Sequence, residues 1–167
     1  MNISRLIPLL GLVVVALLSR FLPHPPNFTA MNAVALFGAY ALVGKRFALV
    51  ALFAILFLSD CVMGFHSQMI FVYASLGLTT LLAYSKTLPL CLSVPASSLL
   101  FFAVVNFGVW LWDGIYPMTL SGLQLCYIAA LPFLANQLMG DLFYAVVLFG
   151  AYTSYKKFVF SGTHELA

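Results

Sequence analysis

The sequence predicts an all-α membrane protein, a six-transmembrane-helix bundle with both termini on the cytoplasmic side. Three observations carry that expectation. Hydrophobic residues make up 64% of the chain and charged residues only 7%, against about 25% charged in a typical soluble domain. That leaves too little polar surface to cover a globule in water. Apolar runs on the scale of a ~30 Å hydrocarbon core recur along the whole length. Finally, Arg5, Lys45, Arg46, Lys86, Lys156 and Lys157, six of the seven Lys and Arg residues, fall at every second break between those runs.

The first run, 6–22, follows a single Arg and resembles a signal sequence in outline. It is long, lacks an A-x-A-type cleavage site and leads into further apolar sequence, so it is expected to stay as a span. Pro23-His24-Pro25-Pro26-Asn27-Phe28-Thr29 then denies the chain amide donors and favours extended geometry. The second run, 30–43, is short for a crossing. Either the preceding loop dips into the membrane, where only protein or a water-filled cavity can satisfy its backbone, or the bilayer thins or a neighbour tilts.

Runs 47–63 and 69–84 are separated by Gly64-Phe65-His66-Ser67-Gln68, and Ser85-Lys86-Thr87 leads into 88–112. The last run is 132–155. The segment 113–131 is expected to be an outer loop or re-entrant piece. Its apolar part, 121–134, would reach only ~21 Å as a helix, and a crossing there would put Lys156 and Lys157 outside. Short breaks make neighbouring helices antiparallel, and the positive-inside rule then places both termini in the cytoplasm. Arg20 alone falls at an intervening break.

The polar residues gather at the other end. A carboxylate in hydrocarbon is costly, so intramembrane acids face a bundle interior or an aqueous cavity. Asp141 lies ~13 Å into the last run at 1.5 Å per residue and shares a helical face with Gln137 and Tyr144. Two readings stand: an acceptor for a ligand's N–H or cation, and an internal hydrogen bond to Tyr, Asn or a loop amide. Asn106 and Trp110 recur at helical spacing with Asp113. Trp112 and Tyr116 fit an interfacial belt, whereas Asn106 is deeper and needs a partner. Asp60 ends the third run, and His24 and His66 sit in outer loops.

Several functions are disfavoured. Basic residues stand singly or in pairs with no groove-like stripe, against nucleic acid as a partner. Cys61, Cys91 and Cys126 have neither even pairing nor metal-ligand spacing and read as small hydrophobes. No nucleophile–base pattern or phosphate-cradling glycine loop appears, so no enzyme, catalytic residue, cofactor or resident metal is expected. His24, His66, Asp60 and Asp141 lack H-x-x-x-H or C-x-x-C spacing.

Leu22-Pro23-His24-Pro25-Pro26-Asn27-Phe28, Ala33-Val34-Ala35-Leu36-Phe37-Gly38-Ala39, Leu58-Ser59-Asp60 with Gly64-Phe65-His66, and Asn106-Phe107-Gly108-Val109-Trp110 carry a family likeness. So do Tyr116-Pro117 with Gly122-Leu123 and Pro132-Phe133 with Gly140-Asp141. Over residues 20–150 the chain resembles an uncharacterised bacterial family of small integral membrane proteins labelled as transport proteins. That family is distantly similar to the substrate-binding S components of energy-coupling-factor (ECF) transporters. The resemblance implies a six-helix bundle in the bacterial cytoplasmic (inner) membrane, with an outward-facing vitamin pocket under extracellular loops. S components often carry a small-x-x-x-small motif on the first helix for docking on an energising module. Here Leu9-Leu10-Gly11-Leu12-Val13-Val14-Val15-Ala16 lacks it, while Ala35 and Ala39 have the spacing. An energising transporter module, a homo-oligomer and a solitary transporter all stay open.

The expected function is uptake of a small, vitamin-like solute from the outer face, with the lipid bilayer as surroundings. Its pocket is expected to be lined by His24, Asn27, Asp60, His66, Asn106, Trp110, Gln137 and Asp141. The alternatives are a structural or assembly role in a cell-envelope complex and a transition-metal transporter.

Overall fold

The computed structural model describes residues 3–41 and 45–161, with side chains described for 7–41 and 49–159. Residues 42–44, which close the second run, and the side chains of Arg5, Lys45 and Arg46 lie outside the described residues. The described chain is all-helical: α1 (Ile3–Phe21), α2 (Met31–Ala41), α3 (Lys45–Met63), α4 (Met69–Ser85), α5 (Leu90–Trp112) and α6 (Leu120–Ser161). Two of these, α5 and α6, are long and apolar enough to cross a membrane.

Local chemistry explains the ends. Lys86 adopts a left-handed conformation (φ 51°) and its N–H returns to the Ala83 carbonyl, closing α4. Pro89, extended at ψ 154°, caps α5, because the proline ring fits a helix entry but not its interior. The helix therefore begins two residues later than the expected run.

The segment 113–131 departs from expectation. It is loop only as far as Thr119, whose hydroxyl accepts the Gly122 N–H at 3.1 Å. From Leu120 the chain is helical for 42 residues, through Pro132, to Ser161. A proline in mid-helix removes one donor and crowds the preceding turn, yet the helix runs through it; the expectation of a loop or re-entrant piece rests on the ~21 Å reach of 121–134 alone and on the side assigned to Lys156 and Lys157. Nor does the segment lie across the end of the molecule. It runs antiparallel beside α5, with the Tyr127 hydroxyl on the Ala103 carbonyl at 2.6 Å and the Cys126 thiol on the Asn106 carbonyl at 3.4 Å.

The helices alternate in direction. At one end Trp110 Nε1 bonds the Pro117 carbonyl (2.9 Å), and Ser67 and Gln68 both donate to Asp113 Oδ1 (2.8 and 2.7 Å). At the other end the Tyr40 hydroxyl donates to the Leu88 carbonyl (2.9 Å) and the Tyr152 hydroxyl to that of Ala41 (3.2 Å). Beyond Tyr152, α6 continues ~14 Å at 1.5 Å per residue and carries Lys156 and Lys157.

α2 is the centre: every residue from Met31 to Gly38 is buried, as expected of a helix packed on all sides. The chain enters it from the last residues of the preceding loop: Leu22 to Asn27 stay exposed, Phe28 and Thr29 are half-buried and Ala30 is buried. Asn27 is left-handed at φ 64°, and the Phe28 and Thr29 amides bond Pro25 and Asn27 carbonyls at 3.0 Å. The Ala30 amide reaches Ser19 Oγ at 3.1 Å. Phe28 stacks edge-on to Tyr144, and Gly140 makes room for it, since a Cβ at 140 would stand 3.1 Å from the Phe28 Cα.

Large apolar side chains cover the outside of the molecule as well as filling its core. Ser59, Asp60, Ser75, Thr79, Thr80, Ser97, Ser98 and Asp141 are all 1% exposed or less, whereas Val62, Val146 and Phe158 are 73–80% exposed. Small hydroxyl residues between helices with large apolar residues outside is the arrangement of helices packed in lipid.

Candidate functional site

A cavity of about 210 Å³ opens at the loop-bearing end of the molecule. Its floor is built from α2, α5 and α6. Asp141 comes from α6, where Gly140 beside it makes room for Phe28. Asn32 is the second residue of α2, and its Nδ2 donates to Asp141 Oδ2 at 2.9 Å. Ser98 Oγ, from α5, donates to the same oxygen at 2.6 Å. A carboxylate can only accept, so this contact orients the Asn32 amide and leaves Oδ1 turned away. Gln137, one turn before Asp141, directs Nε2 to the Ser98 carbonyl at 3.4 Å. Asn32 Oδ1 and Gln137 Oε1 are both buried with no protein partner. Each belongs to a residue lining the cavity.

The rim is a second polar cluster. Arg20, near the end of α1, forms an ion pair with Asp60 on α3, and the Tyr73 hydroxyl donates to the other Asp60 oxygen at 2.7 Å. Both Asp60 oxygens are thus engaged. Arg20 also lies on the cavity wall, where its Nε has no partner. His24 Nδ1 sits 2.8 Å from the Pro25 carbonyl; a carbonyl only accepts, so Nδ1 carries the hydrogen and Nε2 of the neutral ring is an acceptor. Between floor and rim the wall is apolar, with Val72, Leu76 and Phe101.

Of the residues expected to form a pocket, His24, Asn27, His66, Gln137 and Asp141 line this one cavity. Asp60 stands behind Arg20 and is not on the wall. Asn106 and Trp110 are elsewhere. The Asn106 amide donates to its own helix at the Phe102 carbonyl, 2.8 Å, and the residue lines a separate cavity of about 330 Å³ with Asn27 and Tyr116. Trp110 stitches the α5–α6 loop through Pro117.

Among the polar groups at this site that the sequence reading does not select are Arg20, Asn32 and Thr29 on the wall and Ser98, which reaches Asp141 from behind it. Arg20 was the single cation out of step with the others, and Asn32 the single amide in an apolar run just after the proline loop; both were readable signals. Ser98 lies among Ser93, Ser97 and Ser98, and nothing in the sequence sets it apart. Among the described residues no group of three His, Cys, Asp or Glu side chains comes close enough to hold a metal ion.

The chain belongs to a family of unknown function (DUF6580), matched over residues 1–162. No curated protein and no solved structure matches it.

Proposed function

We propose that this chain is a six-span inner-membrane protein, with both termini cytoplasmic, that takes up a small solute through the cavity floored by Asp141. The observation that carries the reading is the pair of buried, unpartnered oxygens, Asn32 Oδ1 and Gln137 Oε1, beside a buried carboxylate on a cavity wall. Buried polar atoms are normally satisfied, and an orphaned acceptor costs about 1–3 kcal/mol. Two orphaned acceptors on residues that line one cavity fit a site completed by a ligand.

The membrane assignment rests on the outward apolar surface, the inward hydroxyls and the two long helices. Orientation rests on the separation of Lys86, Lys156 and Lys157 at one end from His24, His66 and Asp113 at the other. The cavity then faces outward, and a loop of protein-satisfied backbone dips to meet it. Transport follows by tipping or rearranging helices around the bound solute, with no covalent chemistry required.

Native mass spectrometry of gently extracted protein tests this directly. A retained small molecule in the wild type, absent from Asp141→Ala and Asn32→Ala, is the expected result. Equal retention by both variants, or none in any, removes the pocket assignment. Cysteine-labelling from the outside at positions 24 and 66, but not at 86 or 156, checks orientation.

A further inference from the structure

We infer that the solute is a small organic cation whose protonated nitrogen, bearing two or more N–H groups, seats against Asp141, Asn32 Oδ1 and Gln137 Oε1. This deepens the uptake reading and depends on it. The argument is one of complementarity. The floor offers oxygen acceptors: one carboxylate and two amide oxygens, with one N–H of each amide already engaged, by Asp141 and by the Ser98 carbonyl. A ligand that brought acceptors to this floor would leave those oxygens unsatisfied; one that brings N–H donors completes them.

Charge points the same way. Asp60 is neutralised by Arg20, whereas the side chains that hydrogen-bond Asp141, those of Asn32, Ser98 and Gln137, are all neutral. An ionised Asp141 therefore has its charge uncompensated by protein in these contacts, and intramembrane carboxylates are normally paired or solvated. A cationic ligand supplies the missing partner through charge-assisted hydrogen bonds.

Size and wall decide between a metal-like ion and an organic one. A volume of about 210 Å³ would hold roughly seven waters at ~30 Å³ each, far more than a bare alkali ion occupies. It is below the roughly 300–1,000 Å³ of drug-sized pockets. Val72, Leu76 and Phe101 give the ligand a carbon body to bury, and Phe101 offers an aromatic contact. At the rim Arg20 Nε, buried and unpartnered, can donate to an acceptor at the far end of the same molecule.

The test uses full-length protein in lipid nanodiscs and a matched probe set of one carbon skeleton: 2-phenylethylammonium, 2-phenylethanol, 3-phenylpropanoate and trimethyl(2-phenylethyl)ammonium, with sodium ion as a fifth probe. Binding is read by thermal shift and calorimetry on wild type, Asp141→Asn and Gln137→Leu. The expected result is tightest binding of the primary ammonium and weakening by ~10-fold or more in Asp141→Asn, the worth of a charge-assisted hydrogen bond. Weaker binding of the trimethylated cation and a smaller loss in Gln137→Leu are expected with it. Equal or tighter binding of the alcohol or carboxylate, or Asp141-dependent binding of sodium alone, overturns the cation assignment while leaving a ligand pocket in place. No Asp141-dependent binding of any probe also overturns it; the uptake reading falls with it only if the extracted wild type carries no small molecule either.

Discussion

Asp60 and Asp141 are equally buried, each 1% exposed, yet their surroundings differ in kind. Asp60 has a cation, Arg20, and a phenol, Tyr73, one on each oxygen. Asp141 has an amide and a hydroxyl on the same oxygen, and two orphaned acceptors line its cavity. Burial alone does not separate a lock from a binding group. What separates them is whether the protein itself completes the charge. Asp60 ties α1 to α3 and α4 at the rim, and this tie matters because α1 makes few other contacts with the rest of the molecule. Asp141 is held in position and left open to something else.

Breaking the lock is expected to have the largest effect on stability. Arg20→Ala leaves Asp60 buried without its cation, a change that costs about 3–5 kcal/mol in buried pairs. Arg20→Met with Asp60→Leu, which removes both charges and keeps the volume, should recover most of that loss. Melting midpoints in detergent or nanodiscs measure both; an Arg20→Ala protein as stable as wild type would remove the distinction between the two carboxylates.

Next in size is Gly140→Val. The added branches meet the Phe28 backbone, where even a Cβ stands at 3.1 Å, and overpacking of this kind costs about 1–3 kcal/mol. Because the displaced loop carries Asn27 and Thr29 to the cavity wall, ligand retention should fall together with stability. That coupling would distinguish a loop belonging to the site from one that merely fills space.

Asp141→Asn should show the reverse pattern. The amide oxygen still accepts from Asn32 and Ser98, so the melting midpoint should move little, by about 1 kcal/mol or less for one exchanged hydrogen bond, while ligand retention is lost. Substantial unfolding of this variant with retained ligand would make Asp141 a second lock. The smallest effect is expected from Trp110→Phe, which gives up one exposed bond to Pro117 worth about 0.5–1.5 kcal/mol. Retention of the ligand should be unchanged, because Trp110 is not on the cavity wall.

Much of the helix pattern was legible because it is local. Apolar runs, the Gly64 and Lys86 breaks and the proline loop are read from neighbouring residues, and five of the six helices coincide with the expected runs within a few residues. Leu120–Leu131 lies outside the expected runs because 121–134 taken alone is too short for a crossing; it is the opening of one long helix, held beside α5 through Tyr127 and Cys126. The site was legible in part. Polar residues in apolar surroundings stand out, so the sequence selects Gln137 and Asp141, which the fold places on the cavity wall. The same criterion selected Asn106 and Trp110, whose partners are their own helix and the adjacent loop.

By itself, then, the sequence determined the helical class and the concentration of polar groups at one end, because both follow from composition and short-range periodicity. The convergence of Asn32 and Ser98 on Asp141, across separations of 109 and 43 residues, and of Arg20 on Asp60, across 40, was decided by tertiary structure alone. Which side chains meet depends on how helices rotate and slide against one another, and that is set by packing of the whole molecule around α2 and not by any one segment.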